Sequence, residues 1–192
     1  MRGAALQAAG VRIIAGKFRG RKLSCPKLVT RPTLDRVREA LFSILGDLTD
    51  ANVVDFYAGS GALGLEALSR GARHVTLVEA DHQAAQVIRD NAKGWGVDGA
   101  WRVLACTAQK SRGALSAIAP IDLVLADPPW KIAAEAAVVV PEVVKGLLSP
   151  GATVVIGHAS RDTLALAENS GLALDHSRSW GDSALSFFRQ SE

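Results

Sequence analysis

Cysteine is scarce in this chain. Cys25 and Cys106 are the only two, and they carry no metal-ligand spacing. They read as reduced thiols of a cytoplasmic protein, filling space. Histidine is as sparse. His74, His82, His158 and His176 form no local cluster, so no metal site is expected. No apolar run approaches the roughly 20 residues of a membrane span. Residues 1–10 hold one Arg and no long apolar core, which suits a frayed terminus and not a signal peptide. Repeats and low-complexity tracts are lacking too. These absences argue against a disulfide scaffold, a metalloprotein with local ligands, a membrane-spanning helix and a repeat architecture.

What the first forty residues lack is acid. They hold ten Lys/Arg against Asp35 and Glu39, whereas residues 41–192 hold twelve Lys/Arg against seventeen Asp/Glu. A solvated face mixes signs, so a one-sided block of this density reads as a polyanion-binding arm. What is present in quantity is core material. With 48% hydrophobic residues in 192, the chain is a folded protein of one domain with a small appendage. The expected division is a basic arm with a β-hairpin over 1–33 and the main domain over 34–192. The expected oligomeric state is monomer.

Val11–Ala15 and Arg21–Ser24 flank the loop Gly16-Lys-Phe-Arg-Gly20, a hairpin pattern with glycine at both ends. Residues 25–33 carry Pro26 and Pro32 and read as an extended linker. Thr33 is placed to cap a helix over 34–46, with Leu34, Val37, Leu41, Ile44 and Leu45 facing the core and Arg36 and Arg38 pointing elsewhere. From residue 52, strands at 52–56, 74–79, 101–105, 121–126 and 152–157 alternate with helices at 62–70, 81–94, 109–118, 132–147 and 161–169. Runs such as Ile121–Ala126 and Thr153–Ile156 are continuously apolar, as in a parallel sheet covered on both faces. The end changes character: 171–177 and 184–189 read as an antiparallel hairpin. An α/β, doubly wound, Rossmann-like sheet of seven strands with this terminal hairpin is the class I S-adenosylmethionine methyltransferase architecture.

Two motifs carry the chemistry. Gly59-Ser-Gly61-Ala-Leu-Gly64 follows a strand and opens a helix, and Glu79 lies at the end of the next strand. That pattern also fits a dinucleotide, with the acid on the ribose hydroxyls. Asp55 favours S-adenosylmethionine, because a carboxylate ahead of the glycines suits an ammonium group and repels a pyrophosphate. Asp81 reads as the cap of the following helix. Thr107 and Ala108, after the third strand, stand where an adenine meets backbone amides. The second motif is Asp127-Pro128-Pro129-Trp130, at the carboxyl end of the strand 121–126 and beside the glycine loop. The prolines lock φ and lack N–H groups, giving a stiff turn. Trp130 offers a stacking face for a base. Acceptors that hold an amine's N–H bonds direct its lone pair at a methyl sulfonium, so catalysis is positioning and electrostatics. Asp127 is also placed to relay the departing proton. An ionised carboxylate accepts from both N1–H and the 2-amino group of guanine, so Asp127 leans towards that base over adenine. A base in a helix must be unpaired or flipped to reach such a pocket.

With Arg12-Ile-Ile-Ala-Gly-Lys-Phe-Arg-Gly-Arg-Lys-Leu23, Arg31-Pro-Thr-Leu-Asp-Arg-Val-Arg-Glu-Ala-Leu-Phe42, Asp55–Gly71, Asp127–Trp130 and Ala184–Arg189, the chain resembles the bacterial RsmD-type 16S ribosomal RNA guanine-N2 methyltransferases across 11–189. The resemblance implies methyl transfer from S-adenosylmethionine to N2 of one guanosine in small-subunit RNA, on the 30S particle or its precursor. It implies that Asp127 and Trp130 bind and orient the guanine, that Pro128 and Pro129 shape the turn, and that Asp55, Gly59, Gly61 and Glu79 hold the cofactor. Family members usually have Tyr or Phe where Trp130 stands. Arg31, Thr33, Arg36 and Arg38 would order the site or touch phosphate, and Lys17, Arg19, Arg21 and Lys22 are the better phosphate candidates on an exposed loop. Two relatives in chemistry compete: a DNA adenine-N6 and a protein glutamine methyltransferase. A nicotinamide oxidoreductase would need a base such as a Tyr/Lys pair, and the only tyrosine, Tyr57, lies in the glycine loop.

Overall fold

The computed structural model describes residues 11–26, 35–167 and 169–190. Seven strands alternate with helices: β1 (Asn52–Phe56), β2 (His74–Val78), β3 (Trp101–Leu104), β4 (Ile121–Ala126), β5 (Leu148–Ala159), β6 (Leu172–Trp180) and β7 (Ser183–Gln190). The helices are α1 (Asp35–Leu45), α2 (Ala62–Ser69), α3 (His82–Ala92), α4 (Ala108–Ser116) and α5 (Ala133–Val144). All strands form one sheet in the order β3-β2-β1-β4-β5-β7-β6. β1 pairs parallel with β2 and β4, whereas β7 runs antiparallel between β5 and β6. This is the doubly wound sheet with a terminal hairpin expected above.

Side-chain alternation divides the core. Val53, Val75, Leu77, Leu125, Val155 and Phe187 face one cluster, filled by Leu41 and Phe42 of α1, Leu65 and Leu68 of α2, and Ile88 of α3. Val54, Phe56, Val124, Val154, Ile156 and Phe188 face the other, closed by Leu115 of α4 and Val140 and Val144 of α5. Residues buried on both faces explain why the strands read as unbroken apolar runs.

Three expectations differ in detail. No helix forms over the described part of 161–169. Leu164 and Leu166 pack against the second cluster, and a spacing of two residues belongs to extended chain. The hairpin near the start is reduced to the bridge Arg12–Lys22, flanked by Ile13 N–H to Arg21 O (2.9 Å) and Leu23 N–H to Val11 O (2.7 Å). In α1, Ile44 is 39% exposed, and Phe42 takes the buried position. Residues 27–34, with most of the expected linker and the Thr33 cap, lie outside the described residues. No helix among the described residues is long and apolar enough to cross a membrane.

The basic segment is built into the core. Val11, Ile13, Phe18 and Leu23 are buried in the same cluster as α1 and α2. Two residues of α2 anchor it. Glu66, fully buried, accepts from Ile14 N–H (2.7 Å), Ala15 N–H (3.0 Å) and Arg70 Nε (2.8 Å). Ser69 Oγ accepts from Phe18 N–H (2.9 Å) and donates to Ala15 O (2.5 Å), while Ser69 O accepts from Lys17 N–H (2.7 Å).

Candidate active site

At the carboxyl ends of β1, β2, β4 and β5 lies a cleft of about 1050 Å³. Open α/β sheets place ligands there, because the loops on either side of a strand-order reversal diverge. The reversal falls at β1, between β2 and β4. One wall carries the loop after β1 and the end of β2; the other carries the turn after β4.

The first wall is held by carboxylates. Asp55, 1% exposed, accepts from Gly64 N–H through Oδ2 at 2.8 Å. Burial pushes its carboxyl pKa up to about 8; the Gly64 bond opposes this, and the charges of Asp127 and Glu79 add to it. Glu79 bonds the loop directly, accepting Gly59 N–H at 2.8 Å and Asp81 N–H at 2.9 Å. Asp81 caps α3 by accepting Ala84 N–H at 2.8 Å, as its position suggested. Gly61 stands at φ 79° ahead of α2, and a Cβ there would crowd Ile88 Cγ2 at 3.1 Å and Leu77 Cδ2 at 3.2 Å. Glycine is needed on both counts. This wall is a backbone cradle lined by acids, which fits an ammonium group and ribose hydroxyls and would repel a pyrophosphate. Thr107 and Ala108 open α4 on the same side, with Thr107 exposed at the cap position and making no side-chain cap bond.

The second wall is the turn Asp127–Trp130. Pro128 is buried, Asp127 and Trp130 are half-buried, and Ile132 N–H bonds Pro129 O at 2.9 Å to close a short 3-10 turn over Trp130–Ile132. Asp127 lies against Gly157 of β5: a Cβ on Gly157 would stand 2.4 Å from Asp127 Oδ1 and 3.5 Å from its Cα. Gly157 thus makes room for the carboxylate. All ten residues expected to bind cofactor or base, apart from Gly61 behind the wall, line this one cleft.

The cationic residues distribute differently. Lys17, Arg19, Arg21 and Lys22 are exposed, but none lines the cleft. Their loop is held at Ser69, the far end of α2 from the glycine loop. Phe18 and Trp95 pack there with ring centroids 4.5 Å apart, and the Arg21 guanidinium lies 5.2 Å from each ring. Arg36 is exposed and stands beside the β6–β7 turn. Arg38 is a correction. It is 0% exposed and donates to Arg12 O at 2.7 Å and Asp35 at 2.8 Å, so its guanidinium joins α1 to the basic segment and cannot reach phosphate. Burial lowers its pKa, against the charges of Asp35 and Glu66. Arg31 lies outside the described residues.

The cleft also contains residues the motifs did not single out. Tyr57 stands at φ 57°, an uncommon conformation for a bulky side chain, and lines the cleft half-buried. Burial raises its pKa, and Glu135 adds to that. Gln109, Lys131, His158, Arg161 and Leu185 line it too. Tyr57 and Lys131 adjoin the two motifs, whereas local sequence gives no signal for Gln109, His158, Arg161 and Leu185, which the fold brings in from separate strand ends. His158 is accounted for structurally: its ring bonds Ala159 O at 2.9 Å and Ser186 Oγ at 2.8 Å.

A family model described as "Conserved hypothetical protein 95" matches residues 11–189. The "Ribosomal RNA small subunit methyltransferase D" of Escherichia coli (strain K12) is 43% identical over 127 residues, covering 63% of this chain. The chain spans 61% of that relative's length. The Haemophilus influenzae protein of the same name is 48% identical over 85 residues, covering 42% of this chain and 43% of its own. Among solved structures, the putative methyltransferase yhhF from Escherichia coli superimposes with TM-score 0.76 at 30% identity, over 95% of this chain and 98% of that one. The fold alone is shared with an RNA methyltransferase from Salinibacter ruber solved with S-adenosyl-L-homocysteine, at TM-score 0.62 and 19% identity, over 84% of this chain and 95% of that one.

Proposed function

The chain belongs to the RsmD-type family that the model for conserved hypothetical protein 95 describes, and on that premise we propose that it methylates small-subunit ribosomal RNA with S-adenosylmethionine, at N2 of a guanosine. One observation carries the reading: the Asp127–Trp130 turn and the Asp55/Glu79 cradle line a single cleft. Bound in the cradle, S-adenosylmethionine would supply an electrophilic methyl group on a sulfonium sulfur. Asp55 would hold its ammonium group and Glu79 its ribose hydroxyls, while Thr107 and Ala108 would flank the adenine.

Trp130 stacks the unpaired guanine, and Asp127 accepts from its N1–H and 2-amino hydrogens. Holding these N–H bonds aims the nitrogen lone pair across the cleft. The N–C bond would form as the methyl–sulfur bond breaks, its electron pair staying on sulfur to leave a neutral thioether, and the extra proton on nitrogen would pass to the Asp127 carboxylate and on to water. Pro128, Pro129 and Gly157 fix the carboxylate, so little reorganisation remains to be made during transfer.

The experiment is methyl transfer from labelled S-adenosylmethionine to small ribosomal subunits lacking this enzyme, followed by nucleoside analysis. N2-methylguanosine in the RNA is the expected product. Label in N6-methyladenine of added DNA, or in a protein glutamine, with none in the RNA, would replace this reading with one of its two competitors.

A further inference from the structure

We propose that Lys131 and Arg161, continued by Arg36, form a phosphate-binding rim that seats the backbone of the RNA nucleotide being modified. The inference rests on the function proposed above. It starts from a charge conflict. Asp55, Glu79, Asp81, Asp127, Glu135 and Asp162 all line the cleft, and among the described lining residues Lys131 and Arg161 are the cations. A cleft of this sign repels a polyanion. A base that enters it brings its own phosphates to the edge, so one edge must be cationic.

The loop bearing Lys17–Lys22 does not supply that edge. It is anchored at Ser69, seven residues along α2 from Ala62, or about 10 Å down the helix axis from the glycine loop. It contacts a different part of any RNA that occupies the cleft. Lys131 directly follows Trp130, the stacking residue, and is exposed. Its flexible stem and three donors suit a phosphate close to the stacked base. Arg161 follows the end of β5 and is 80% exposed; its pairing with Asp162 is long, at 3.8 Å, and fully screened by solvent.

The rim is continuous. Ser160 N–H bonds Asp182 O at 2.8 Å, tying the Arg161 turn to the β6–β7 turn. On the other side of that turn, Arg36 Nη2 lies 3.7 Å from where a Cβ on Gly181 would be. Ser183, two residues on, lines the cleft. Arg36 and Arg161 thus flank the β6–β7 turn from α1 and from the turn after β5, and Lys131 lines the same cleft as Arg161 from the turn after β4.

The test uses the full chain carrying Lys131→Glu and Arg161→Glu together, with the milder Lys131→Ala/Arg161→Ala pair as its companion. Methyl transfer to small-subunit RNA is measured across a salt series, beside S-adenosylmethionine affinity. The charge reversal should lower kcat/KM at least tenfold, mainly through KM. It should flatten the log–log salt dependence by about 1.4, at roughly 0.7 per single-strand phosphate. The alanine pair should flatten it as much with a smaller loss of rate. Cofactor affinity should stay within twofold of the parent. An unchanged KM and salt slope overturns the rim, as does an equal loss of cofactor affinity, which would place the pair in the other half of the cleft. If the parent protein transfers no methyl group to RNA, the proposed function fails instead, and the two failures are distinct.

Discussion

Asp55 is the residue whose charge state the fold controls most. Its carboxyl is raised from 3.8 to about 8 by burial, which favours the protonated form at neutral pH; a cation placed beside it would draw the value back down. The consequence for stability has a definite sign. The folded form binds a proton that the unfolded chain releases, so the Asp55 contribution is fully present below about pH 4 and is lost as pH rises through about 8. Chemical denaturation between pH 5 and 9 should show that decline, and Asp55→Asn should flatten it. An identical pH profile in the variant would reassign the effect. Gly157 is the second residue at which one atom matters. A Cβ there overlaps Asp127 Oδ1 at 2.4 Å, and the carboxylate has to move. A displacement near 1 Å costs about a hundredfold in a positioned reaction. Gly157→Ala should therefore reduce kcat by that order while cofactor affinity, measured by titration, stays near the parent value.

Among the elements, α2 joins the most parts. Its start carries the glycine loop, and its last turns hold the basic segment through Glu66 and Ser69. Glu66→Ala removes the acceptor for Ile14 N–H and Ala15 N–H, at about 1–3 kcal/mol for each donor left without a partner. Thermal unfolding should record the loss, and proteolysis of the variant should begin within residues 11–24. A melting temperature equal to the parent's would remove Glu66 as the anchor. Most elements were legible in the sequence because apolar periodicity is written locally: the sheet strands and α2 to α5 fall close to where that periodicity puts them. The failures were equally physical. The segment 161–169 has helix-forming composition, but Leu164 and Leu166 are two apart and bury as extended chain does. The charge of Arg38 suggests an outward-facing residue, yet it precedes the buried Leu41 and Phe42 by three and four residues and shares their face. Charge type outweighed helical position in that reading, and position decided the outcome. The two motifs of the cleft were legible because each is contiguous. Arg161 was not, because its approach to the cleft depends on strand order; Tyr57 and Lys131 adjoin the motifs, but their residue types alone did not mark them.

At the scale of the whole molecule, the sequence asymmetry becomes spatial: acid gathers in the cleft, and base gathers on the loop at Lys17–Lys22. Arg21 lies over Phe18 and Trp95, which keeps that cationic loop ordered without neutralising it. Charge reversal at Lys17 and Arg19 should weaken RNA binding and flatten its salt dependence, with S-adenosylmethionine affinity unaffected. Filter binding over a salt series would decide it, and an unchanged slope would remove the loop from the interface. Distance between the two charge zones is set by α2, which acts as a ruler with a fixed number of divisions. One residue added between Ala62 and Ser69 would carry Ser69 about 1.5 Å further and turn it by about 100°, away from Phe18 and Lys17. A substitution at Ala62, the one half-buried position of this helix, leaves the span intact; an insertion does not. Its length, more than its composition, specifies how far the cationic loop stands from the cleft.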